Sequence, residues 1–249
     1  MSFENKTVIV TGAGRGLGRD YSEAFARDGA SVVIADVDHD SAQATAAGIR
    51  DAGGRSIAID VDVTSKPSVD ELIDKTVREF GGVHIVVNNA GIWGDLQRAK
   101  LSEIDPDYWD FVMGVNLKGP LLCSAAAIPA MREQGWGRII NISSIGAWRP
   151  SGVYGVSKLG LVHLTHAMAT EVGEDGITVN AIAPGTINNE ATQRQVPSKV
   201  IDKLISQNAV KRAGKAADLY GMMRYLCSDD AAWVTGQTFP VDGGFTFRP

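Results

Sequence analysis

The fold is decided by the stretch Thr11-Gly12-Ala13-Gly14-Arg15-Gly16-Leu17-Gly18. An apolar run precedes it and an amphipathic helical pattern follows it, so we predict a turn between a strand and a helix. Glycines let the backbone turn sharply and approach a pyrophosphate, whose negative charge faces the free N–H groups at the helix start. Asp36 follows about 20 residues on, where a carboxylate can accept hydrogen bonds from ribose hydroxyls. This combination favours a dinucleotide site over the alternative, a plain tight turn with Asp36 as a solvated loop acid.

Apolar runs alternate with helical patterns along the rest of the chain. This alternation is typical of a parallel sheet covered by helices on both faces. We therefore predict a Rossmann-type, doubly wound α/β fold of about seven parallel strands in one domain, residues 1–249, with an excursion over the substrate at 186–212. The strands are predicted at 7–10, 31–35, 56–59, 85–87, 138–142, 177–181 and 238–241. Helices are predicted after the glycine turn and at 41–52, 68–80, 107–131, 154–172 and 216–227.

The composition is that of an ordinary soluble globular chain. It has 249 residues, 44% hydrophobic and 21% charged, with a formal net charge of −5, which is ample for an α/β core. The acidic balance and the absence of a basic run argue against nucleic acid and anionic membrane as partners, and favour a small molecule. The N-terminus lacks the pattern of a signal peptide, and no stretch approaches the ~20 apolar residues of a membrane span. These features predict a cytoplasmic protein.

The cysteines and histidines do not predict a metal site. Cys123 and Cys227 lie in apolar stretches without metal-ligand spacing, and we predict buried free thiols. His163 and His166 are three residues apart on a predicted helix, which is compatible with metal ligation, but no carboxylate or cysteine completes a set at obvious spacing. A packing or interface role is the preferred interpretation of this pair.

The second chemical motif is Tyr154-Gly155-Val156-Ser157-Lys158. On a helix, this spacing puts the phenol and the ammonium on one face, one turn apart. A lysine charge near the phenol would favour the phenolate and lower the tyrosine pKa from its reference of about 10. Tyr154 could then act as an acid or base near neutral pH. The alternative is an ordinary amphipathic pair on a helix surface.

The chain resembles the short-chain dehydrogenase/reductase family, in its compact single-domain branch. The resemblance covers nearly the whole length, and it rests on the order and spacing of several motifs rather than on any one of them. Beyond the glycine turn and the tyrosine–lysine pair, the matching positions are Asp62-Val63, Asn88-Asn89-Ala90-Gly91, Asn116, Asn141-Ile142-Ser143-Ser144, Pro184-Gly185 and Val241-Asp242-Gly243-Gly244.

This resemblance implies four catalytic residues. Tyr154 is expected to be the general acid/base, and Lys158 to lower its pKa and to hydrogen-bond the nicotinamide ribose. Ser144 is expected to orient and polarise the substrate oxygen, with Ser143 as the fallback. Asn116 is expected to hold a water that links Lys158 to solvent, to satisfy helix backbone as a structural asparagine, or to do both.

The resemblance also implies the residues that bind the cofactor. They are Gly12, Arg15, Gly16, Leu17, Gly18, Asp36, Asp62, Val63, Asn89, Ala90, Gly91, Tyr154, Lys158, Pro184, Gly185 and Ile187. Within this set, Asp62 and Val63 look like the adenine contacts, and residues 89–91 like the wall beside the adenosine ribose. The residues 184–185 and Ile187 would hold the carboxamide end of the nicotinamide.

Two residues favour different cofactors. Asp36 would repel the 2′-phosphate of NADP, whereas Arg15 could attract it. A close like-charge contact penalises NADP directly, while a flexible arginine on a glycine loop can also contact solvent or the pyrophosphate. We therefore predict NAD, with NADP as the less favoured cofactor.

Two positions depart from the family pattern. Only nine residues, 145–153, separate Ser144 from Tyr154, a few fewer than usual, so one wall of the substrate pocket is expected to differ. Asn189 stands where the family often has threonine, which would change a contact to the carboxamide or the pyrophosphate. Thr186 is the candidate to compensate.

The substrate pocket is expected to be lined by the segments 92–95, 145–153 and 186–212. Trp93 and Trp148 favour an apolar, cyclic or aromatic alcohol or ketone, although either ring could equally pack in the fold or at a subunit contact. Arg149 and Arg194 could hold a carboxylate or phosphate. Such side chains are more often solvated, so we assign no anchor.

The sequence thus predicts an oxidoreductase that transfers a hydride between NAD and a small, apolar secondary alcohol or its ketone. The alternatives are an NADP-dependent 3-oxoacyl-carrier-type reductase and a non-catalytic dinucleotide-binding regulator. The presence of all four catalytic residues argues against the non-catalytic regulator. The acidic net charge of the chain gives no support to the acyl-carrier reductase. The family resemblance further implies a homo-oligomer, a dimer or a tetramer and commonly a tetramer.

Overall fold

The centre of the molecule is a seven-stranded parallel sheet. The computed structural model describes residues 2–93, 96, 100–189, 192 and 196–247. Its strands are β1 Thr7–Thr11, β2 Ser31–Asp36, β3 Arg55–Asp60, β4 Ile85–Asn88, β5 Gly137–Ile142, β6 Ile177–Pro184 and β7 Thr238–Val241. They lie in the order β3-β2-β1-β4-β5-β6-β7, and each neighbouring pair is parallel. All seven predicted strands are confirmed.

The interior strands are mostly apolar and almost entirely buried because both faces of the sheet are covered. Every residue of β1, β4, β5 and β6 is buried. The two edge strands, β3 and β7, keep partly exposed residues. This pattern explains why the strands appear in the sequence as continuous apolar runs rather than as alternating ones.

Helices pack on both faces, as the alternating pattern predicts. They are α1 Gly16–Arg27, α2 His39–Asp51, α3 Lys66–Phe80, α4 Pro106–Met113, α5 Gly119–Gln134, α6 Gly152–Val172, α7 Ser198–Gln207 and α8 Ala216–Leu226. One buried cluster joins α1, α2 and α8 to the sheet and includes Tyr21, Phe25 and Leu219. The other joins α3, α5 and α6 and includes Leu72 and Met168. The doubly wound architecture is confirmed.

The strand order reverses between β1 and β4. The chain leaves β1 toward β2 on one side and later returns to β4 on the other, so the connections diverge at the carboxyl ends of these two strands. In open α/β sheets, ligands bind in the crevice at such a switch point. The glycine turn follows β1 and the Asn89-Ala90-Gly91 segment follows β4, so both border this crevice.

The predicted helix at 107–131 is part of a longer one, Pro106–Gln134, in which α4 and α5 are joined by a π-helical turn at Gly114–Lys118. In the described part of the chain, this helix alone is long and apolar enough to cross a membrane by length and composition. The sequence predicted no stretch of this apolar length, so this helix differs from the expectation. Its inner face packs against α3, β4 and β5, so its apolar composition is that of a core helix.

The excursion at 186–212 contains α7, which the sequence analysis did not predict. None of its residues is fully buried, so the helix lies outside the core. Val200, Ile201, Leu204 and Ile205 recur at helical spacing and are the signal that could have predicted it.

The two thiols are buried and free, as predicted. Burial raises the pKa of Cys123 to about 12, because the thiolate would lose its hydration. Within the described ranges, no group of three histidine, cysteine or acidic side chains could hold a metal ion.

His84 joins the amino ends of three strands. Its N–H donates to the Thr7 carbonyl oxygen at 3.1 Å, and its Nδ1 accepts from the Thr7 N–H at 3.1 Å. Its carbonyl oxygen accepts from the Arg138 N–H at 3.0 Å. Burial, helped by the positive charge of Lys6, lowers the pKa of His84 to about 4. The ring must be neutral at Nδ1 to accept the hydrogen bond.

This buried histidine predicts a loss of stability in acid. A pKa lower in the folded than in the unfolded state means that the contribution of His84 is present above pH ~6.5 and is lost as the pH falls toward the folded value. After allowance for solvent screening, we expect a cost of roughly 2 kcal/mol in the free energy of unfolding. His84→Asn, which keeps an acceptor near the Nδ1 position, should reduce this acid-dependent loss. Urea unfolding of both proteins at pH 7 and pH 4.5 measures it, and equal losses would contradict the prediction.

Candidate active site

Tyr154 and Lys158 lie one turn apart in the first half of α6. The Lys158 side chain is 5% exposed, and its Nζ lies 5.8 Å from the centroid of the Tyr154 ring. The Nζ donates to the Ile142 carbonyl oxygen at 2.8 Å. An ordinary pair on a helix surface would leave the ammonium in solvent, so this geometry does not fit that alternative.

Ser144 follows β5 and faces the tyrosine. Its Oγ accepts the Gly146 N–H at 3.0 Å and begins a short 3-10 helix, Ile145–Trp148. A Cβ on Gly146 would lie 3.0 Å from Tyr154 Cε1 and 3.2 Å from Ser144 Oγ. The short loop between Ser144 and Tyr154 therefore closes by placing a glycine between the two side chains. Sequence reasoning missed Gly146, although a glycine two residues after the serine is a visible signal.

Ser143, the fallback for Ser144, points elsewhere. It is buried, and its hydroxyl donates to the Lys158 carbonyl oxygen at 3.0 Å. This contact attaches the end of β5 to the backbone of α6. Of the two serines, Ser144 is the one whose hydroxyl lies beside Tyr154.

The protonation of the tyrosine and the lysine is governed by burial. Burial raises the pKa of Tyr154, and its side-chain hydrogen bond with Ser144 acts in the opposite direction. Burial also lowers the pKa of Lys158 to about 8. The expected lowering of the Tyr154 pKa by the lysine is not seen in this arrangement, because burial of the phenol outweighs the hydrogen bond from Ser144. Water exclusion disfavours an isolated charge on either group.

Asn116 sits in the π-helical turn and is fully buried. Its Oδ1 accepts the Ile92 N–H at 2.7 Å, and its Nδ2 donates to the Ile92 carbonyl oxygen at 3.0 Å. The second Nδ2 hydrogen goes to Ser157 Oγ at 3.1 Å. Both donors of the amide are thus used within the protein, one on the loop after β4 and one on α6, and the accepting Oδ1 also holds that loop.

The glycine turn is locked against the residues that follow β4. Thr11 Oγ1 accepts the N–H groups of Asn89 and Ala90 at 3.1 and 3.0 Å. Asn89 Nδ2 donates back to the carbonyl oxygens of Thr11 and Gly12 at 2.9 and 3.0 Å. A Cβ at Gly18 would overlap the Gly12 carbonyl oxygen and lie 2.6 Å from Asn89 Nδ2. Sequence reasoning did not single out Thr11, although it is the last residue before the turn.

The start of α1 is suited to a phosphate group. Gly16, with φ +58°, begins the helix, and in the described structure the Arg15 side chain makes no capping hydrogen bond. The first-turn N–H groups are therefore available to an anion, and the positive end of the helix dipole favours it. Leu17 packs against the core and orients this end of the helix.

Asp36 lies beside the glycine turn, at the end of β2. Its Oδ2 accepts the Gly14 N–H at 2.8 Å and its Oδ1 accepts the Asp38 N–H at 3.0 Å. Hydrogen bonds from Ser41 hold the pKa of the Asp38 carboxyl below its usual range, with a smaller contribution from the positive charge of Arg15. Asp36 thus borders the glycine turn, and Arg15 lies in the field of the neighbouring Asp38 carboxylate.

The remaining predicted contacts follow other strands at the same edge of the sheet. After β3, Asp62 Oδ1 accepts from the Thr64 N–H at 2.8 Å, and Val63 is buried. After β6, the Gly185 N–H donates to the Val241 carbonyl oxygen at 3.1 Å, and Ile187 is buried in a bridge to 214. The carboxyl ends of six adjacent strands therefore bring the predicted residues together.

Asn189, the departure from the family pattern, accepts the Thr192 N–H at 2.8 Å. This side chain therefore shapes a local turn. The main-chain carbonyl oxygen of Thr186 accepts from the Gly214 N–H at 2.9 Å.

The substrate side of the site carries one exposed aromatic ring. Trp93 is 38% exposed, and its ring centroid lies 6.5 Å from that of Tyr154. The Arg149 guanidinium lies 4.9 Å from the Phe245 ring centroid, so this side chain stacks on the C-terminal segment. Arg194 and residues 94–95 lie outside the described residues.

A separate cavity of about 420 Å³ lies at the free edge of β3. It is lined by His39, Ile57, Ala58, Ile59, Asp60, Lys75, Arg78 and Glu79. None of the predicted catalytic side chains lines it, and we assign it no part in the site.

Comparison with known proteins identifies the family. A family model described as enoyl-(acyl carrier protein) reductase, which is a model of short-chain dehydrogenases/reductases, matches residues 12–246. The chain belongs to the short-chain dehydrogenase/reductase family. Membership in the short-chain dehydrogenase/reductase family implies a nicotinamide dinucleotide cofactor, a small-molecule substrate and oxidoreductase chemistry.

Individual members of this family resemble the chain over almost its full length. An uncharacterized oxidoreductase of Mycobacterium tuberculosis is 42% identical, covering 99% of both chains. A 3-oxoacyl-[acyl-carrier-protein] reductase of Staphylococcus epidermidis is 38% identical over 96% of this chain and 98% of its own. A crystal structure of a protein classed provisionally as a short-chain alcohol dehydrogenase, from Sinorhizobium meliloti, matches with a TM-score of 0.91 and 32% identity. That match covers 98% of this chain and 97% of the other.

The crowded glycine turn gives a test of the cofactor site. Gly18→Ala should weaken dinucleotide binding by at least about 10-fold and destabilise the fold by about 1–3 kcal/mol, because the new methyl group must displace the Gly12 carbonyl oxygen or Asn89. Gly48→Ala is the matched control, since a Cβ at Gly48 in α2 meets nothing within 4 Å. Fluorescence titration with NAD and urea unfolding measure the two effects. Unchanged binding in Gly18→Ala would contradict this assignment.

Proposed function

We propose that the protein is an NAD-dependent dehydrogenase that transfers a hydride between NAD and a small, apolar secondary alcohol or its ketone. The observation that carries the proposal is the enclosed group of Tyr154, Ser144 and Lys158 at the carboxyl edge of the sheet. This group lies at the same edge as the glycine turn and Asp36, so one bound dinucleotide would reach both.

Ser144 is proposed to orient the substrate oxygen. Because its Oγ already accepts the Gly146 N–H, its own hydrogen is directed away from that contact and can be donated to an oxygen beside Tyr154. The substrate hydroxyl or carbonyl would then lie between the serine and the phenol. A substrate held there would have its reacting carbon toward the residues predicted to hold the nicotinamide, 184–185 and Ile187.

Tyr154 is proposed to move the proton. During oxidation, its phenolate takes the hydroxyl proton of the substrate as the hydride leaves the carbinol carbon, and during reduction the phenol returns the proton to the carbonyl oxygen. When bound, the cofactor supplies the hydride acceptor or donor, and its oxidised ring adds a positive charge. That charge and the Lys158 ammonium both favour the phenolate, which offsets the effect of burial on the Tyr154 pKa.

The preference for NAD is proposed on the charges around the ribose position. Asp36 is held by two main-chain N–H groups, so it cannot easily swing away from a 2′-phosphate. Arg15 is exposed, and its guanidinium interacts electrostatically with the Asp38 carboxylate. Asp38 and a phosphate would therefore compete for the guanidinium. A 2′-phosphate would thus be repelled by the carboxylates of Asp36 and Asp38. The Arg15 guanidinium would be only partly available to bind it, because it also interacts with Asp38.

An apolar substrate is proposed on the position of Trp93. Its exposed ring stands beside the phenol and would cover an apolar group next to the reacting carbon. Residues 186–212, including α7, are proposed as the excursion that closes over this group. The weak burial of α7 is suited to a segment that moves when a ligand binds.

The main rival is an NADP-dependent reductase of acyl-carrier substrates. The acyl-carrier description of the family model and the reductase of Staphylococcus epidermidis favour it. A dinucleotide-binding regulator without turnover is the weaker rival, since all four predicted catalytic side chains are present.

We also propose that the protein is a homo-oligomer, most simply a tetramer. Exposed apolar side chains stand along α4, α5 and α6, where a second copy of the chain would cover them. They are Phe111, Leu121, Val156 and Leu159.

The proposed activity is tested by absorbance at the reduced-nicotinamide band. The panel contains aliphatic, cyclic, aromatic and steroid alcohols, with NAD and NADP supplied separately. We expect NAD-linked oxidation of an apolar secondary alcohol, reduced at least about 100-fold in Tyr154→Phe because the proton acceptor is lost. Cofactor binding by the variant should stay intact. Equal turnover by Tyr154→Phe would refute the role of the phenol, and NADPH-linked reduction of acyl thioesters alone would favour the acyl-carrier rival.

Cofactor choice is tested at Asp36. Asp36→Ser should raise the ratio of kcat/KM for NADP over NAD by about 10- to 100-fold, because a close like-charge contact costing 1–3 kcal/mol is removed. Asp60→Asn is the matched control. Asp60 pairs with Asp36 in the β2–β3 register, but its carboxylate hydrogen-bonds His39 and does not border the glycine turn. An unchanged ratio in Asp36→Ser would show that Asp36 does not select the cofactor.

A further inference from the structure

Ser157, inside the tyrosine–lysine motif, is fully buried between two elements of the site. Its Oγ accepts from Asn116 Nδ2 at 3.1 Å and donates to the Tyr154 carbonyl oxygen at 2.8 Å. One hydroxyl thus links the π-helical turn to the backbone of the residue proposed to move the proton.

The far end of this link is the segment that follows β4. Asn116 holds Ile92 through both its N–H and its carbonyl oxygen. On one side of Ile92, a Cβ at Gly91 would lie 3.5 Å from Lys158 Nζ. On the other side, the Trp93 ring stands 6.5 Å from the Tyr154 ring. The placement of residues 91–93 against α6 therefore depends on the orientation of one amide.

A helical serine that donates to a carbonyl one turn back is common and by itself means little. Thr165, two turns further along α6, shows the same arrangement. It is fully buried, its Oγ1 accepts from Asn141 Nδ2 at 2.9 Å, and it donates to the Leu161 carbonyl oxygen at 2.8 Å. The asparagine that Thr165 holds lies within β5. The asparagine that Ser157 holds, Asn116, positions residues 91–93 beside the predicted site.

We infer that Ser157 is a positioning residue of the proposed dehydrogenase. Its hydroxyl fixes the Asn116 amide, and the amide in turn holds residues 91–93 against Tyr154 and Lys158. Ser157 touches no reacting atom. Without the hydroxyl, one buried Asn116 N–H loses its acceptor, and the amide can rotate or shift to find another. Part of this inference rests on the proposed function, since the rate effect requires turnover, whereas the placement of residues 91–93 does not.

The kinetic test compares Ser157→Ala with Thr165→Val, which removes the equivalent pair of hydrogen bonds on the same helix. We expect both variants to lose similar stability in urea unfolding. Only Ser157→Ala should lower kcat, by about 10- to 100-fold, as expected for a small misplacement of a catalytic wall. Binding of NAD should weaken much less than kcat falls, because the glycine turn and Asp36 keep their contacts and only Gly91 of the predicted cofactor residues is displaced. Ser157→Cys, with a weak donor and acceptor at the same place, should recover part of the rate.

The structural test needs no turnover. Crystal structures of the two variants should show residues 91–93 and the Asn116 amide displaced in Ser157→Ala and unmoved in Thr165→Val. If Ser157→Ala does not fold, Ser157→Cys is used in both tests, with a smaller displacement and a smaller rate loss expected.

Equal kcat losses in the two variants, or a wild-type kcat in Ser157→Ala, would overturn the inference, as would unmoved residues 91–93. An inactive wild-type enzyme would count against the proposed function alone. The displacement in the crystal structures would then decide the positioning role by itself.

Discussion

The structure depends above all on the close approach of β1 and β4 at their carboxyl ends. Thr11 and Asn89 exchange side-chain and main-chain hydrogen bonds across this contact, so the glycine turn is attached to the neighbouring strand rather than free in a loop. The connections of the two strands leave in opposite directions, and the crevice between them is where a dinucleotide binds in this class of sheet. The contact between the glycine turn and Asn89 can be this close because Gly18 has no side chain to separate them.

A second constraint is the pairing of polar groups beneath α6. The helix buries the hydroxyls of Ser157 and Thr165, and each accepts from an asparagine amide on a neighbouring element. A buried polar group left unpaired costs about 1–3 kcal/mol, so each link holds its asparagine in one orientation. The helix that carries the tyrosine and the lysine is in this way aligned with both β5 and the π-helical turn. Catalytic geometry and core packing therefore share the same hydrogen bonds.

Sequence patterns predicted the elements whose signal is local. Largely apolar runs predicted all seven strands, because each interior strand is covered on both faces and carries mainly apolar residues. The helix α7 was missed because its four apolar residues were weighed against a polar surrounding stretch. The direction of the Tyr154 pKa was wrong for a different reason. Spacing places Lys158 near the phenol, but it cannot show how far burial disfavours a charge on the tyrosine and on the lysine.

By itself, the sequence determined the family and the doubly wound sheet and predicted the residues of the site, because turn glycines, apolar periodicity and helical spacing are properties of neighbouring residues. Only the tertiary structure decided which serine faces the tyrosine, what the Asn116 amide holds and how Asp36 contacts the glycine turn. These are relations between residues that are far apart in the chain. These contacts form at the carboxyl edge of the parallel sheet. Because the polar groups there are buried, the arrangement in which each finds a hydrogen-bond partner is favoured.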